Sequence, residues 1–284
     1  MKTRASTTAQ GIAFARALES GKPADERICY DPLARRLISP VFYLFCKFFA
    51  GYAERKGPGV LGFLVARCRY IDDYLQACLE AGLDQLVILG AGLDSRAYRF
   101  EQLKEHVRVF EVDHPATQQV KLGKLEKIFG ELPVHVTYVP IDFNQETLQK
   151  LFDFGFNPQS KTLFIWEGVA HYLTAEAVDQ TLSFVSKHSG TGSSIIFDYV
   201  YTSALTTAHK RGEIIRMQRA KRYTGEGLVF GIEEGQVDEF LRVRGYTQIQ
   251  NVTSEDLKRA YFTGVNQTRT IAPIYAIVHA TVKE

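Results

Sequence analysis

Between residues 85 and 201 one pattern recurs five times: a short run of β-branched and aromatic residues, a polar or glycine-bearing end, then a stretch of helical or loop character. The runs are QLVILG (85 to 90), VRVFEVD (107 to 113), VHVTYVPID (134 to 142), TLFIWEG (162 to 168) and SSIIFDYVY (193 to 201). Apolar runs of this length suit parallel strands covered on both faces, and their alternation with helices calls for right-handed crossovers. The fold class is therefore α/β, built on a mostly parallel sheet. YTQIQNVT and IAPIYAIVHATV read as two closing strands, with a hairpin across SEDLKRAYFTG as one way to join them.

The first eighty residues have a different rhythm. Helices are broken at GKPADE, at Asp31–Pro32 and between Lys56 and Gly59, after which VLGFLVARCRYIDDYLQACLEAG keeps an amphipathic spacing until Gly82. The expected organisation is one structural unit: a helical region over 1 to 82, packed on a core over 83 to 284 with a polar insertion at about 202 to 235. The most lipophilic run, LISPVFYLFCKFFAGYA, is interrupted by Pro40 and Lys47 and falls short of the ~20 apolar residues a membrane span requires. It reads as a buried or half-buried helix whose Phe42, Phe45, Phe48 and Phe49 serve the core; the alternatives are an apolar substrate tunnel or a partner-binding face.

Composition narrows the partners. There are 34 Lys and Arg against 32 Asp and Glu, a net charge of +2, and no basic block interleaved with aromatics, which argues against nucleic acid. The N-terminus lacks the apolar core of a secretory signal. Cys29, Cys46, Cys68 and Cys78 form no C-x-x-C pair and no cluster at metal-ligand spacing. They read as buried free thiols of a cytoplasmic protein without a bound metal.

The first β run ends in LGAGLDSRAYRF. Gly90 and Gly92 stand where the backbone must turn sharply beside a ligand, and the following residues begin a helix whose free N–H groups favour a polar or anionic guest. A purely structural turn would use the same glycines. A nicotinamide fingerprint wants a third glycine at 95, where Ser95 stands. The second run ends with Glu111 and Asp113, 21 and 23 residues beyond Gly90, the interval at which a βαβ unit delivers a carboxylate to ribose hydroxyls. Both acids share a face by strand periodicity, and Asp113 is nearer the ligand-binding end; a helix cap ahead of Pro115 is the alternative. The third run ends in PIDFN, placing Asp142 to accept from an exocyclic amine and Phe143 to offer its backbone N–H or an apolar contact, unless Asp142 only forms an Asx turn or cap. The fourth brings Glu167, Gly168, His171 and Tyr172 together before a helix capped by Thr174. Four polar strand ends on one rim describe a nucleoside crevice.

Taken in order, ARCRYIDD, LVILGAGLDSRAYR, FEVDHP, PIDFN and WEGVAHYL, with the earlier ARALES and DERICYDPLA, resemble the leucine carboxyl methyltransferase family of S-adenosylmethionine-dependent methyltransferases, in its bacterial small-molecule branch. The resemblance spans nearly the whole chain and weakens over 202 to 265. It implies the class I methyltransferase fold, a Rossmann-like, mostly parallel seven-stranded sheet whose last strand is antiparallel, with an N-terminal helical lid and a second lid element after the fifth strand. It also implies S-adenosyl-L-methionine as cofactor. Arg67 matches the arginine that holds the methionine carboxylate. Gly90, with Gly92 beside it, matches the glycine turn at the methionine portion, Asp113 the ribose acid, Asp142 and Phe143 the adenine contacts, and Glu167 a residue near the amino group or reacting centre. The chain departs from the wider methyltransferase pattern in having no acid directly before the first glycine.

A sulfonium donor mainly needs an aligned nucleophile and a dry site, a proximity effect worth up to ~7–11 kcal/mol. A carboxylate acceptor, ionised at neutral pH, needs no base; a hydroxyl or phenol would, with His171 as the candidate and Tyr172 orienting the acceptor. The expected activity is O-methylation of a carboxylate on a small molecule, a natural-product intermediate or a peptide terminus. Hydroxyl methylation on the same fold, and a cofactor-binding partner subunit without turnover, are the alternatives. Tyr199, Tyr201 and a stripe of Arg216, Arg219 and Arg222 are candidates for an acidic substrate.

Overall fold

A computed structural model describes residues 6–143, 145–207 and 227–283. Seven strands form one sheet in the order β3-β2-β1-β4-β5-β7-β6. They are β1 (Gln85–Leu89), β2 (Arg108–Asp113), β3 (Val136–Pro140), β4 (Thr162–Trp166), β5 (Ser194–Val200), β6 (Tyr246–Thr253) and β7 (Tyr275–Val282). The first five are parallel, with Val87 level with Phe110 on one side and Phe164 on the other. β7 runs antiparallel to both β5 and β6. β6 and β7 pair as expected, but their connection carries a helix, Ser254–Tyr261, started by a capping box between Thr253 and Asp256.

Side chains alternate between two cores. Leu86, Ile88, Val109, Leu163, Ile165 and Ile196 enter one, shared with the N-terminal helices. Val87, Leu89, Phe110, Val112, Phe164 and Phe197 enter the other. Period-two alternation with both sets buried is why these strands read as unbroken apolar runs. Sequential strands step one way from β1 through β2 to β3, and the other way from β4 to β5. The crevice of an open α/β sheet opens at such a reversal, outside the carboxyl ends of β1 and β4.

The N-terminal helices are α1 (Thr7–Ser20), α2 (Ala34–Leu37), α3 (Pro40–Lys56) and α4 (Val60–Glu80). α4 follows its amphipathic spacing and buries Phe63, Ala66, Arg67, Cys68, Ile71 and Leu75. The helix expected to be buried or half-buried around residues 37 to 53 is α3, and the expectation is corrected in part. Phe42, Tyr43, Cys46 and Ala50 pack on the core, whereas Phe45, Phe48 and Phe49 are exposed. One face of the helix is seated, and no described element covers the other. Of the four free thiols, Cys29 and Cys68 are buried and Cys46 and Cys78 only half-buried.

After β1 come two single turns, α5 (Arg96–Arg99) and α6 (Gln102–Glu105), then α7 (Pro115–Phe129) after β2 and α8 (Ala175–Lys187) after β4. The helix expected to begin at Asp94–Ser95 is therefore one turn long. Phe100 leaves helical geometry, with φ −93° and ψ 109°. Pro115 starts α7 and Thr174 caps α8 through the Ala177 N–H, as their residue types dictate.

Candidate active site

The carboxyl ends of β1 to β4 open onto one cavity of about 310 Å³, roofed by Ala9, Ile12 and Arg16 of α1. Gly90, Gly92, Asp113, Asp142, Phe143 and Glu167, from four separate strand ends, all line it. Gly90 has φ +66°, and a Cβ there would stand 2.4 Å from Val169 Cγ2. Left-handed backbone and steric contact together reserve the position for glycine.

Asp113 is held by its neighbours. Its Oδ2 accepts from the Gly92 N–H at 2.5 Å and its Oδ1 from the His114 N–H at 2.6 Å. The glycine turn thus binds the β2 acid directly, and this N–H is not left for an anionic guest. A carboxylate has about four acceptor sites, so two backbone donors leave room for vicinal hydroxyls. Burial raises the Asp113 pKa above its ordinary value, against the lowering effect of those two N–H groups. Glu111, the alternative ribose acid, is 1% exposed and paired with Lys121 Nζ at 2.7 Å. It belongs to the packing between β2 and α7.

Asp142 sits in a turn in which Gln145 Nε2 donates to its Oδ2 and its own N–H meets Glu146 Oε2. The Asp142 carbonyl accepts from the Gln145 and Glu146 N–H groups, so the residue both closes a turn and stands on the cavity wall. His114 also lines the cavity. Its Nδ1 accepts from the Ala116 N–H, and its Nε2 lies 3.8 Å from Asp142 Oδ2.

Glu167, which lines the cavity together with Asp94, belongs to a buried ionic network. Its Oε1 accepts from Arg67 Nε at 3.1 Å and its Oε2 from Arg96 Nη1 at 2.5 Å. Arg67 also reaches Asp198 Oδ2 at 2.6 Å, and Asp198 Oδ1 accepts from the Gly168 N–H at 2.6 Å. Arg96 binds Asp94 and Asp72, and Arg99 shares Asp72. Burial pushes the Glu167 carboxyl up, but Arg96 and Arg67 outweigh it and hold the pKa at about 2. Arg16, on the cavity roof, bonds to the Leu93 carbonyl and to Asp31.

Two expected site residues lie behind the cavity wall. The Arg67 side chain is 2% exposed and sits under Gly168, whose added Cβ would be 3.4 Å from Arg67 Nη1. His171 is 4% exposed, and burial lowers its pKa to about 4. Tyr172 does line the cavity, its ring 4.3 Å from that of His171. Tyr199 and Tyr201 are corrected as acceptor contacts: both are buried off the cavity, and Tyr199 Oη donates to Asn251 Oδ1. None of Phe42, Phe45, Phe48 and Phe49 borders the cavity, so they do not form its tunnel. Arg216, Arg219 and Arg222 lie outside the described residues.

Sequence reasoning passed over Arg16, Asp72, Asp94, Arg96 and Asp198. Asp198 had a signal: an acid inside the buried run SSIIFDYVY requires a partner. The arginine and acid of LDSRAYR had one as well, since their turn follows the glycine pair that lines the cavity.

The leucine carboxyl methyltransferase family model matches residues 9–186. Bacillus subtilis YktD, provisionally named an S-adenosyl-L-methionine-dependent methyltransferase, is 31% identical over 220 residues, 77% of this chain and 72% of its own. Mycobacterium tuberculosis Rv3767c, with the same provisional name, is 28% identical over 276 residues, 89% of this chain and 87% of its own. Among solved structures, a Thermobifida fusca protein provisionally named a methyltransferase superposes with TM-score 0.63 at 14% identity, covering 100% of this chain and 97% of that one. The shared fold and the family match agree. The chain belongs to the leucine carboxyl methyltransferase family of S-adenosyl-L-methionine-dependent methyltransferases.

Proposed function

We propose that the protein transfers a methyl group to a carboxylate oxygen of a small molecule, a natural-product intermediate or a peptide terminus. The observation that carries this reading is the state of the two histidines near the cavity. His171 is buried behind the wall with its pKa lowered to about 4, and His114 spends Nδ1 on a helix N–H. Neither is arranged to take a proton from a hydroxyl. A carboxylate acceptor arrives already ionised and removes that need.

When bound, S-adenosylmethionine supplies an electrophilic methyl carbon on a sulfonium. The chain's own contribution is placement. Asp113 accepts from ribose hydroxyls, Asp142 and the Phe143 backbone meet the adenine edge, and Gly90 and Gly92 let the chain pass close to the methionine portion. Arg67 acts on the methionine end through Glu167 and Gly168, which it supports from beneath. The helices over 1 to 82 serve as the lid on the core over 83 to 284, with α1 excluding water. Tyr172 orients the acceptor at the cavity edge.

The test is incubation with labelled donor against a panel of carboxylic acids and phenols, followed by mild base. Label on acids that base releases supports the reading. A base-stable ether on phenols would replace it with hydroxyl methylation. Tight binding of S-adenosylhomocysteine without turnover on any acceptor would favour a partner subunit.

A further inference from the structure

Helix α3 presents an apolar stripe to solvent. Val41, Leu44, Phe45, Phe48, Phe49 and Tyr52, spaced three and four apart, are between 44% and 84% exposed. Phe49 packs its ring at 4.8 Å from Phe45 and at 5.1 Å from Phe48, so the rings form one continuous patch. Patches of this kind on a protein surface mark interaction sites.

The charges around the stripe identify its occupant. From Pro32 to Pro58 the chain carries Arg35, Arg36, Lys47, Arg55 and Lys56 against one acid, Glu54, although the whole protein has a net charge of only +2. Glu54 is turned inward, its Oε1 accepting from the Gly59 N–H and from Thr270 Oγ1. Every exposed charge on α3 is therefore positive: Lys47, Arg55 and Lys56. A second copy of this chain fits poorly. Antiparallel pairing about a two-fold axis near the middle of Pro40–Lys56 would set Lys47 against its own symmetry mate. The complementary surface is apolar and anionic together.

We propose that α3 seats this protein on anionic lipid membranes, with the Phe45–Phe48–Phe49 patch at the acyl boundary and Lys47, Arg55 and Lys56 at the headgroups. The helix lies in the interface plane. With 17 residues it is short for a crossing, and among the described residues no helix is long and apolar enough for one. Lys47 and Lys56 stand 6.0 and 5.5 Å from the Tyr43 and Tyr52 rings, an arrangement in which long cationic side chains follow apolar surface while their ammonium groups stay at a polar boundary. The inference stands apart from the methyl acceptor's identity, since none of the stripe borders the cavity.

The test is co-sedimentation of the full chain with phosphatidylcholine vesicles, alone or containing about a third phosphatidylglycerol, at low and high salt. Binding is expected to the anionic vesicles only, and to weaken with salt. Phe45→Ser/Phe48→Ser should weaken it at least about tenfold. Lys47→Glu/Lys56→Glu should weaken it by about thirtyfold or more, at about fivefold per cation lost. The latter pair is exposed and should leave the thermal melt in place, so a loss of binding is separable from a loss of fold. Equal binding to both vesicle types, or binding unchanged in either double variant, overturns the proposal. So does failure to bind vesicles, including the case of concentration-dependent dimers that Phe48→Ser abolishes, which would assign the stripe to a second copy.

Discussion

Glu167 bridges Arg67 and Arg96, one carboxylate oxygen to each guanidinium, at the floor of the cavity. The three residues come from α4, the turn after β1 and the end of β4, so the network ties the N-terminal helices to the sheet where the cavity opens. Removing one charge from a buried pair leaves its partners uncompensated, at about 3–5 kcal/mol. Glu167→Gln, nearly the same shape without the charge, should lower the unfolding free energy read from urea denaturation by an amount in that range. A shift under about 1 kcal/mol, the ordinary worth of an exposed pair, would show that the network is not buried in solution.

Acid should act on the same groups. The Glu167 carboxyl has a folded pKa of about 2 against an ordinary 4.5, and Asp94 is also lowered: burial raises it, but Arg96 and Arg16 outweigh that. Stability from such depressed carboxylates is fully present above about pH 4.5 and is lost as pH falls toward 2. His171, with its pKa lowered from 6.5 to about 4 by burial, adds a loss that begins below 6.5 because the unfolded chain takes up a proton first. Chemical denaturation from pH 8 to 3 should therefore show stability falling in two stages. In His171→Gln the first stage should shrink to the share of His279, whose pKa burial also lowers.

His171→Gln also bears on the chemistry. With an ionised acceptor, kcat should stay within about threefold of the parent and show no dependence on a group titrating near neutrality. A fall of about a hundredfold or more, with cofactor affinity unchanged, would mean that the imidazole moves a proton after all.

Gly90→Ala places a Cβ against Val169 at a left-handed backbone position. The strain should cost about 1–3 kcal/mol, and the displaced turn should carry Gly92 away from Asp113. Cofactor affinity is therefore expected to fall more steeply than stability, read by calorimetry beside a thermal melt.

Much of this architecture was legible because the information is local. The strands follow from apolar runs a few residues long, and the cavity-lining Asp113, Asp142 and Glu167 stand at the ends of those runs. The pairing within the ionic network was not legible, although some members carried a signal, because they meet across long separations: Arg67 and Asp198 are 131 residues apart, and Arg96 and Glu167 are 71. Arg67 illustrates the difference. Its candidacy as a site residue came from a motif, whereas its depth beneath Gly168 depends on how α4 packs against the sheet. For α3 the same hydrophobic content suits a core, a tunnel or a surface, and only packing distinguishes them.

The central claim is that four strand ends form one adenosyl pocket anchored by Asp113. Calorimetric titration with S-adenosylhomocysteine tests it most directly, in the parent and in Asp113→Ala, with NADH as comparison. One equivalent should bind the parent and NADH none, and the variant should bind at least about tenfold more weakly, the worth of hydrogen bonds to a charged group. No heat with S-adenosylhomocysteine, or equal affinity in parent and variant, would contradict the account.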